Sequence, residues 1–265
     1  MDRRGLGPGR PPKRKEQLEL DDVIYGVHAV EEALTAGEAL RKLYVGDERK
    51  RDPALRRLLD DARTAGIAIR FESRTFFSQF PYRAHQSVVA FGVPFEYVTI
   101  EEAIAARTPG SALFVVLDHI TDPHNAGAII RSAECAGATA VVIPERRAAG
   151  VNATVRKAAA GATAHLPIAR VANVAGALRT MKKAHIWTAG AATGAGAIPY
   201  TKADFKGDIA IVIGAEGDGI SQVVRKECDF LVEIPMFGSL ESLNASVAAG
   251  VLLFEARRQR EQGTK

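Results

Sequence analysis

An α/β protein in two parts is predicted by three features of the 265-residue sequence. From residue 112 onward, short apolar runs alternate with helical segments, the pattern of a mostly parallel sheet covered by helices on both faces. Runs such as Leu113–Leu117 are apolar at every position, as strands buried on both faces are. Residues 23–92 carry a second, shorter alternation of strand and helix patterns, separated from the first by Pro94 and the turn-rich Thr108–Ser111. With 47% hydrophobic and 25% charged residues, the chain has the makings of an ample core.

Several classes are set aside at once. No apolar run reaches the roughly 18 residues of a membrane helix, and the basic N-terminus lacks the apolar stretch of a signal peptide. Cys135 and Cys228 lie far apart in helix-like apolar contexts and read as reduced core thiols of a cytoplasmic protein. The basicity is local. Residues 1–15 hold six basic side chains against Asp2, more than the whole chain's net +4, so the remainder is close to neutral. Residues 1–22, with Pro8, Pro11 and Pro12, are expected to be a disordered basic tail that adds sequence-independent attraction to phosphates.

In order, Tyr25–Leu34 reads as a turn leading into an amphipathic helix, and Lys42–Val45 as a short strand. Pro53 to Gly66 has proline in its first turn and glycine past its end, a helix by both signals. Ile67–Phe71 is a strand, Arg74–Phe80 a short helix and Ser87–Phe91 a strand, which completes a small domain over 23–92. Its loops carry Arg70, Arg74, Arg83, His85 and Gln86, able to meet a phosphate backbone or simply solvent. Residues 93–111 read as a linker with a polar helix near Ile100–Ala106. The larger domain, 112–265, has strands at Leu113–Leu117, Ala140–Ile143, His165–Ile168, His185–Ala189, Ile209–Ile213 and Leu231–Ile234. Helices intervene at Ala126–Ala136, Val151–Ala160, Val174–Lys183 and Ser221–Glu227, and a closing helix spans 244–260.

In parallel sheets ligands collect at the C-terminal strand ends. Three polar, glycine-rich loops fall there: Asp118–Arg131, Gly214–Gly219, and Pro235–Asn244, whose last residue is a natural helix N-cap. The first has no G-x-G-x-x-G and the chain no P-loop, which argues against a dinucleotide site. Asp118, His119, Asp122 and His124 match no standard metal spacing, and no G-x-S-x-G nucleophile elbow occurs.

Asn125-x-Gly127-x-x-x-Arg131, Ile213–Gly217 (Ile-Gly-Ala-Glu-Gly) and Ile234-Pro235-Met236 followed by Ser242-Leu243-Asn244-x-Ser246 resemble the three motifs of the SpoU/TrmH branch of the SPOUT methyltransferases. The likeness covers residues 112–260. Tyr25–Val30 and His85–Val89 are similar to that family's substrate-binding domain, which is related to ribosomal proteins that bind RNA. Together the two segments look most like the members that methylate a guanosine ribose 2′-hydroxyl in 23S ribosomal RNA. The resemblance implies a parallel-sheet domain with a C-terminal trefoil knot, an exception to the rule against knots. It also implies S-adenosylmethionine as methyl donor, no metal, and a homodimer with ribosomal RNA as partner. Carried onto this chain, it assigns Thr188, Ala189, Gly190, Gly214, Ile234 and Leu243 to the donor. It assigns Asn125, Arg131, Glu216, Ser242 and Asn244 to catalysis or positioning. His119, where the family has a small residue, and Glu241, an added acid in the third loop, depart from the pattern.

The chemistry implied is in-line displacement at a sulfonium methyl, which needs positioning and relief of developing charge. Arg131 suits a phosphate or incipient alkoxide better than it suits proton abstraction, since a guanidinium is a poor acceptor near neutral pH. Asn125 and Asn244 can orient Arg131 or the sugar hydroxyls, and Glu216 can fix its loop or pair with an arginine. A transfer-RNA methyltransferase, a resistance enzyme acting on ribosomal RNA, or a non-catalytic ribosome-assembly protein would share these loops.

Overall fold

The computed structural model describes residues 23–35, 39–80 and 85–262. The tail expected over residues 1–22, and Arg83, lie outside the described residues. The chain divides after Gly92 into two compact units.

The first unit is a four-stranded sheet of β1 (Val23–Tyr25), β2 (Leu40–Gly46), β3 (Ala68–Glu72) and β4 (Val88–Gly92), ordered β1-β4-β2-β3. Only β2 and β3 run parallel; the other pairs are antiparallel. Helices α1 (Val27–Thr35) and α2 (Arg56–Thr64) press Val30, Leu58, Leu59 and Ala62 onto Leu43, Val45, Val88 and Ala90 on one face. The short α3 (Arg74–Phe77) and the turn after it bring Phe77 and Phe80 onto Tyr44, Val89 and Phe91 on the other. The turn expected at Tyr25 is the end of β1, with Gly26 at φ 90° swinging the chain into α1.

The second unit is a seven-stranded parallel sheet, one strand more than the sequence suggested. Its strands are β5 (Leu113–Asp118), β6 (Ala140–Pro144), β7 (Ile168–Val171), β8 (Trp187–Ala191), β9 (Ala197–Pro199), β10 (Ile209–Gly214) and β11 (Phe230–Glu233), ordered β7-β6-β5-β10-β8-β11-β9. Central strands bury alternate residues on opposite faces. Leu113, Val115 and Leu117 meet α5 (Pro123–Cys135), α6 (Ala153–Ala159) and α9 (Ala245–Gln262). Phe114 and Val116 meet α4 (Ile100–Ala105), α7 (Val174–Lys183) and α8 (Gln222–Glu227).

Residues 93–111, expected as a linker, pack into this unit. Val98 bridges Ala169 along the open side of β7, so the sheet edge is covered. Thr99 and Glu102 form a capping box that starts α4, and Ile100 and Ile104 are buried. Gly127 of the first motif serves packing: a Cβ there would lie 2.5 Å from Ala158 Cβ and 2.7 Å from Val155 O, so α5 and α6 touch along their backbones.

The far end of α9 is riveted to the start of the sheet. Gln259 accepts from Phe205 N at 2.9 Å and donates to Ala203 O at 3.0 Å, as a strand neighbour would. The Arg260 guanidinium donates to the carbonyls of Phe205, Ser111, Ala112 and Gly207. Burial holds its pKa below the usual guanidinium value, against an opposing pull from the Asp208 charge.

Candidate active site

The three polar loops do converge at the C-terminal edge of the large sheet. β5 and β10 are adjacent, with Asp118 paired to Gly214, so the loops leaving them start side by side. The buried Asp118 carboxylate accepts from Ser221 N at 2.7 Å and from His119 Nδ1 at 2.6 Å, which pins the far end of the 214–221 loop. Asp118 follows the alternation of Phe114 and Val116, so this pairing sits on the α8 side of the sheet. His119 takes φ +61°, the left-handed region that glycine favours and that histidine enters more readily than most other side chains. The loop itself closes as a tight hairpin, with Ala215 and Gly219 exchanging both backbone hydrogen bonds.

On the α9 side, Glu216, Asn125 and Asn244 form one network. Asn125 Nδ2 donates to Glu216 Oε1 at 2.9 Å, and Asn244 Nδ2 donates to Asn125 Oδ1 at 2.9 Å and also to Glu216 Oε1. Asn244 Oδ1 accepts from Ser246 N at 2.9 Å and Val247 N at 3.3 Å, capping α9. One side chain thus caps a helix with its oxygen and ties the three motifs together with its nitrogen. Glu216 also accepts from Ala245 N at 3.4 Å, where the α9 dipole favours a carboxylate. Of the two roles open to Glu216, its partners are asparagines and a helix end, with no arginine among the described residues.

Arg131 stands apart from this network. Six residues beyond Asn125, it is about 9 Å further along α5. It is exposed and makes no hydrogen bond or ion pair among the described residues. The expected contact of Asn125 or Asn244 with Arg131 is therefore not made within this chain.

Beside the network lies a cavity of about 320 Å³, a size that suits a small-molecule ligand. Gly214, Ile234, Leu243, Ser242 and Glu216 line it, as the motif residues would. Its charged lining consists of Glu216, Glu233 and Glu241, with no basic side chain among the described residues. The acid that departs from the family pattern, Glu241, therefore faces the ligand space.

Three donor candidates lie elsewhere. Thr188 is fully buried within β8, with Oγ1 donating to Asp229 Oδ2 at 2.8 Å. Ala189 is in the core, and a Cβ on Gly190 would meet Ile220, Cys228 and Leu231 on the opposite face. The cavity instead uses Ala191, Ala192 and Thr193, because β8 begins and ends two residues later than expected. The cause is the end of α7. His185 turns left-handed at φ +61°, and Ile186 N bonds back to Met181 O, so His185 and Ile186 close the helix instead of opening the strand. Of the two cysteines expected in the core, only Cys135 departs from that expectation. Cys135 is exposed, and Cys228 is packed beside Gly190, where burial and then Asp229 push its pKa up to about 12.

The family described as SpoU rRNA Methylase matches residues 112–254, and the family described as RNA 2'-O ribose methyltransferase substrate binding matches residues 23–98. The chain belongs to the SpoU rRNA methylase family. It is 41% identical to the 23S rRNA (guanosine-2'-O-)-methyltransferase RlmB of Coxiella burnetii, over 90% of this chain and 96% of that one. It is 39% identical, over 94% of its length, to an uncharacterized tRNA/rRNA methyltransferase of Synechocystis sp., of which it spans 66%. Among solved structures it resembles the SpoU methyltransferase AviRb of Streptomyces viridochromogenes in complex with AdoMet, with a TM-score of 0.59, 28% identity and 91% of each chain covered.

Proposed function

We propose that this protein transfers the methyl group of S-adenosylmethionine to a ribose 2′-hydroxyl of RNA, its substrate being a guanosine of 23S ribosomal RNA. The observation that carries the reading is the bonded set Asn125, Glu216 and Asn244, drawn from three separate motifs, at the rim of a cavity whose charged lining is acidic only. A sulfonium and an amino group are cationic, so the residues present fit this donor, and the small Ala191 and Ala192 leave room for a flat adenine. Gly214, Ile234 and Leu243 are assigned to the adenosyl group, joined by Ala191–Thr193 in place of Thr188–Gly190. Bound there, the donor supplies an electrophilic methyl group.

The chain's own residues supply the rest. Asn125 and Asn244 are held rigid by Glu216, so their amides can orient the sugar without paying for their own ordering. Ser242 adds a hydroxyl on the cavity wall. Arg131 brings the positive charge that a phosphate and a developing alkoxide require.

The same reading includes a homodimer. Val247 and Phe254 of α9 are 50% and 52% exposed one heptad apart, and Phe237 is 96% exposed in the loop before the helix. A second copy that covers this stripe is expected, and a monomer in analytical ultracentrifugation would remove it. A trefoil knot formed by the C-terminal segment is part of the reading too. The seat of β11 between β8 and β9, and of Arg260 against Ser111 and Ala112, supports it. Among the described residues no helix is long and apolar enough to cross a membrane, which agrees with a cytoplasmic enzyme acting on ribosomal RNA.

The decisive experiment incubates the protein with methyl-labelled S-adenosylmethionine and unmodified 23S ribosomal RNA. One labelled ribose 2′-O-methyl guanosine is expected. No label in this RNA, nor in transfer RNA supplied in its place, would leave only the RNA-binding alternative.

A further inference from the structure

The first unit presents one finished sheet face and one half-finished face. Its finished face is closed by α1 and α2. On the other, Phe76, Phe77 and Phe80 cover Tyr25, Tyr44 and Phe91, with Phe76 stacked on Tyr44 at 4.6 Å between ring centres. Among the described residues that aromatic cluster includes no residue of β3, the edge strand. Parallel register pairs Lys42 with Ala68 and Tyr44 with Arg70, so Lys42 and Arg70 share the Tyr44 face. Ala68 and Arg70 are exposed there.

Lys42 and Arg70 are diagonal neighbours, their bases roughly 7–8 Å apart. Lys42 rests against the Tyr44 ring, 5.7 Å from its centre, and makes no ion pair among the described residues. Arg70 makes no hydrogen bond or ion pair among the described residues. Glu72, the acid on the same face, bridges neither. On the helical side Arg57 and Arg63 of α2 are paired with Asp61 and Asp60, while Arg56 makes no ion pair among the described residues. Two unneutralised cations on a rigid strand pair, one of them a planar fork suited to phosphate, complement a polyanion.

We propose that this open edge of the sheet, carrying Lys42 and Arg70, is where the first unit grips the sugar–phosphate backbone of the RNA substrate. The proposal rests on the methyltransferase reading above and extends it to a surface and a ligand chemistry. The contact is to backbone, so it fixes register and affinity while sequence choice lies elsewhere. A competing role for Arg70 is to guard an exposed strand edge against self-pairing.

The test uses the full chain and transcribed 23S ribosomal RNA. K42A/R70A is expected to bind that RNA at least 10-fold more weakly at low salt. The slope of log affinity against log salt should become shallower by about 1.4–1.8, as loss of two phosphate contacts predicts. Because Arg70 is exposed and Lys42, though partly buried, makes no ion pair among the described residues, the melting temperature should change little and the S-adenosylmethionine affinity should stay that of the parent. R57A/R63A removes the same charge from the helical side and should change RNA affinity less than about twofold. Equal losses in both variants, or none in K42A/R70A, overturn the surface. Unchanged RNA affinity with new self-association in K42A/R70A overturns it in favour of the edge guard. A parent protein that itself fails to retain 23S ribosomal RNA defeats the functional reading, a result distinct from these.

Discussion

Replacing Arg131 by alanine is expected to lower methyl transfer about 10²–10³-fold, the cost of removing one preorganised charge from a transfer site. The side chain is exposed and has no partner among the described residues, so its loss should leave folding intact. Donor binding should also hold, because Arg131 does not line the cavity. Ribosomal RNA affinity should fall only a few-fold, since one phosphate contact among several is lost. Lysine at the same position discriminates further. If charge alone is needed, Arg131→Lys recovers much of the rate; if a planar fork must hold two oxygens, it recovers little. Full activity in Arg131→Ala, measured by single-turnover transfer of labelled methyl, would reduce the residue to a solvated helix charge.

Gly214→Ala should damage both stability and donor binding. A Cβ at that position would lie 2.0 Å from Gly219 C and 2.2 Å from Ile220 N, in backbone that cannot swing away as a side-chain tip can. The Ala215–Gly219 hairpin must open or β10 must shift against β5, where Gly214 pairs with Asp118. The stability cost should be about 1–3 kcal/mol, as for overpacked sites. Donor affinity should fall more than 10-fold, because Gly214, Ala215, Glu216, Gly217 and Gly219 all line the cavity. Gly217→Ala is the informative contrast. Nothing lies within 4 Å of its Cβ, but its φ of +82° is left-handed, so about 1–2 kcal/mol of strain is expected without collision. Calorimetric melting and donor titration of the two variants separate collision from strain. A parental melting temperature and donor affinity in Gly214→Ala would sink the account.

Most of the large sheet was legible because strands buried on both faces write themselves as unbroken apolar runs. The elements that escaped are short or mispunctuated. β1 and β9 have three residues each, too few for any period to show, and β9 ends in Pro199 within a glycine-rich stretch. α7 ends without glycine, so nothing in Lys183–His185 announced a left-handed stop. That one missed cap moved β8 and, with it, the three donor candidates at 188–190. The motif residues whose job is done by backbone position, Gly214, Ile234 and Leu243, came out at the cavity. The partnership of Glu216 with two asparagines was not legible, because it spans 91 and 28 residues of sequence and depends on how two loops meet. That Arg131 has no partner among the described residues was equally hidden, since no sequence pattern says which partner a helix cation lacks.

The rivet at Arg260 bears on when, as well as how, the protein becomes itself. Its hydrogen bonds to Ser111 and Ala112 join residues 149 and 148 positions apart, at the leading end of a central strand. Contacts so distant in sequence close late and slow folding. Asn244, at the head of the helix that carries Arg260, meets Asn125 across 119 residues of sequence, so the polar network that joins the three motifs is expected to be among the last features of the fold to assemble.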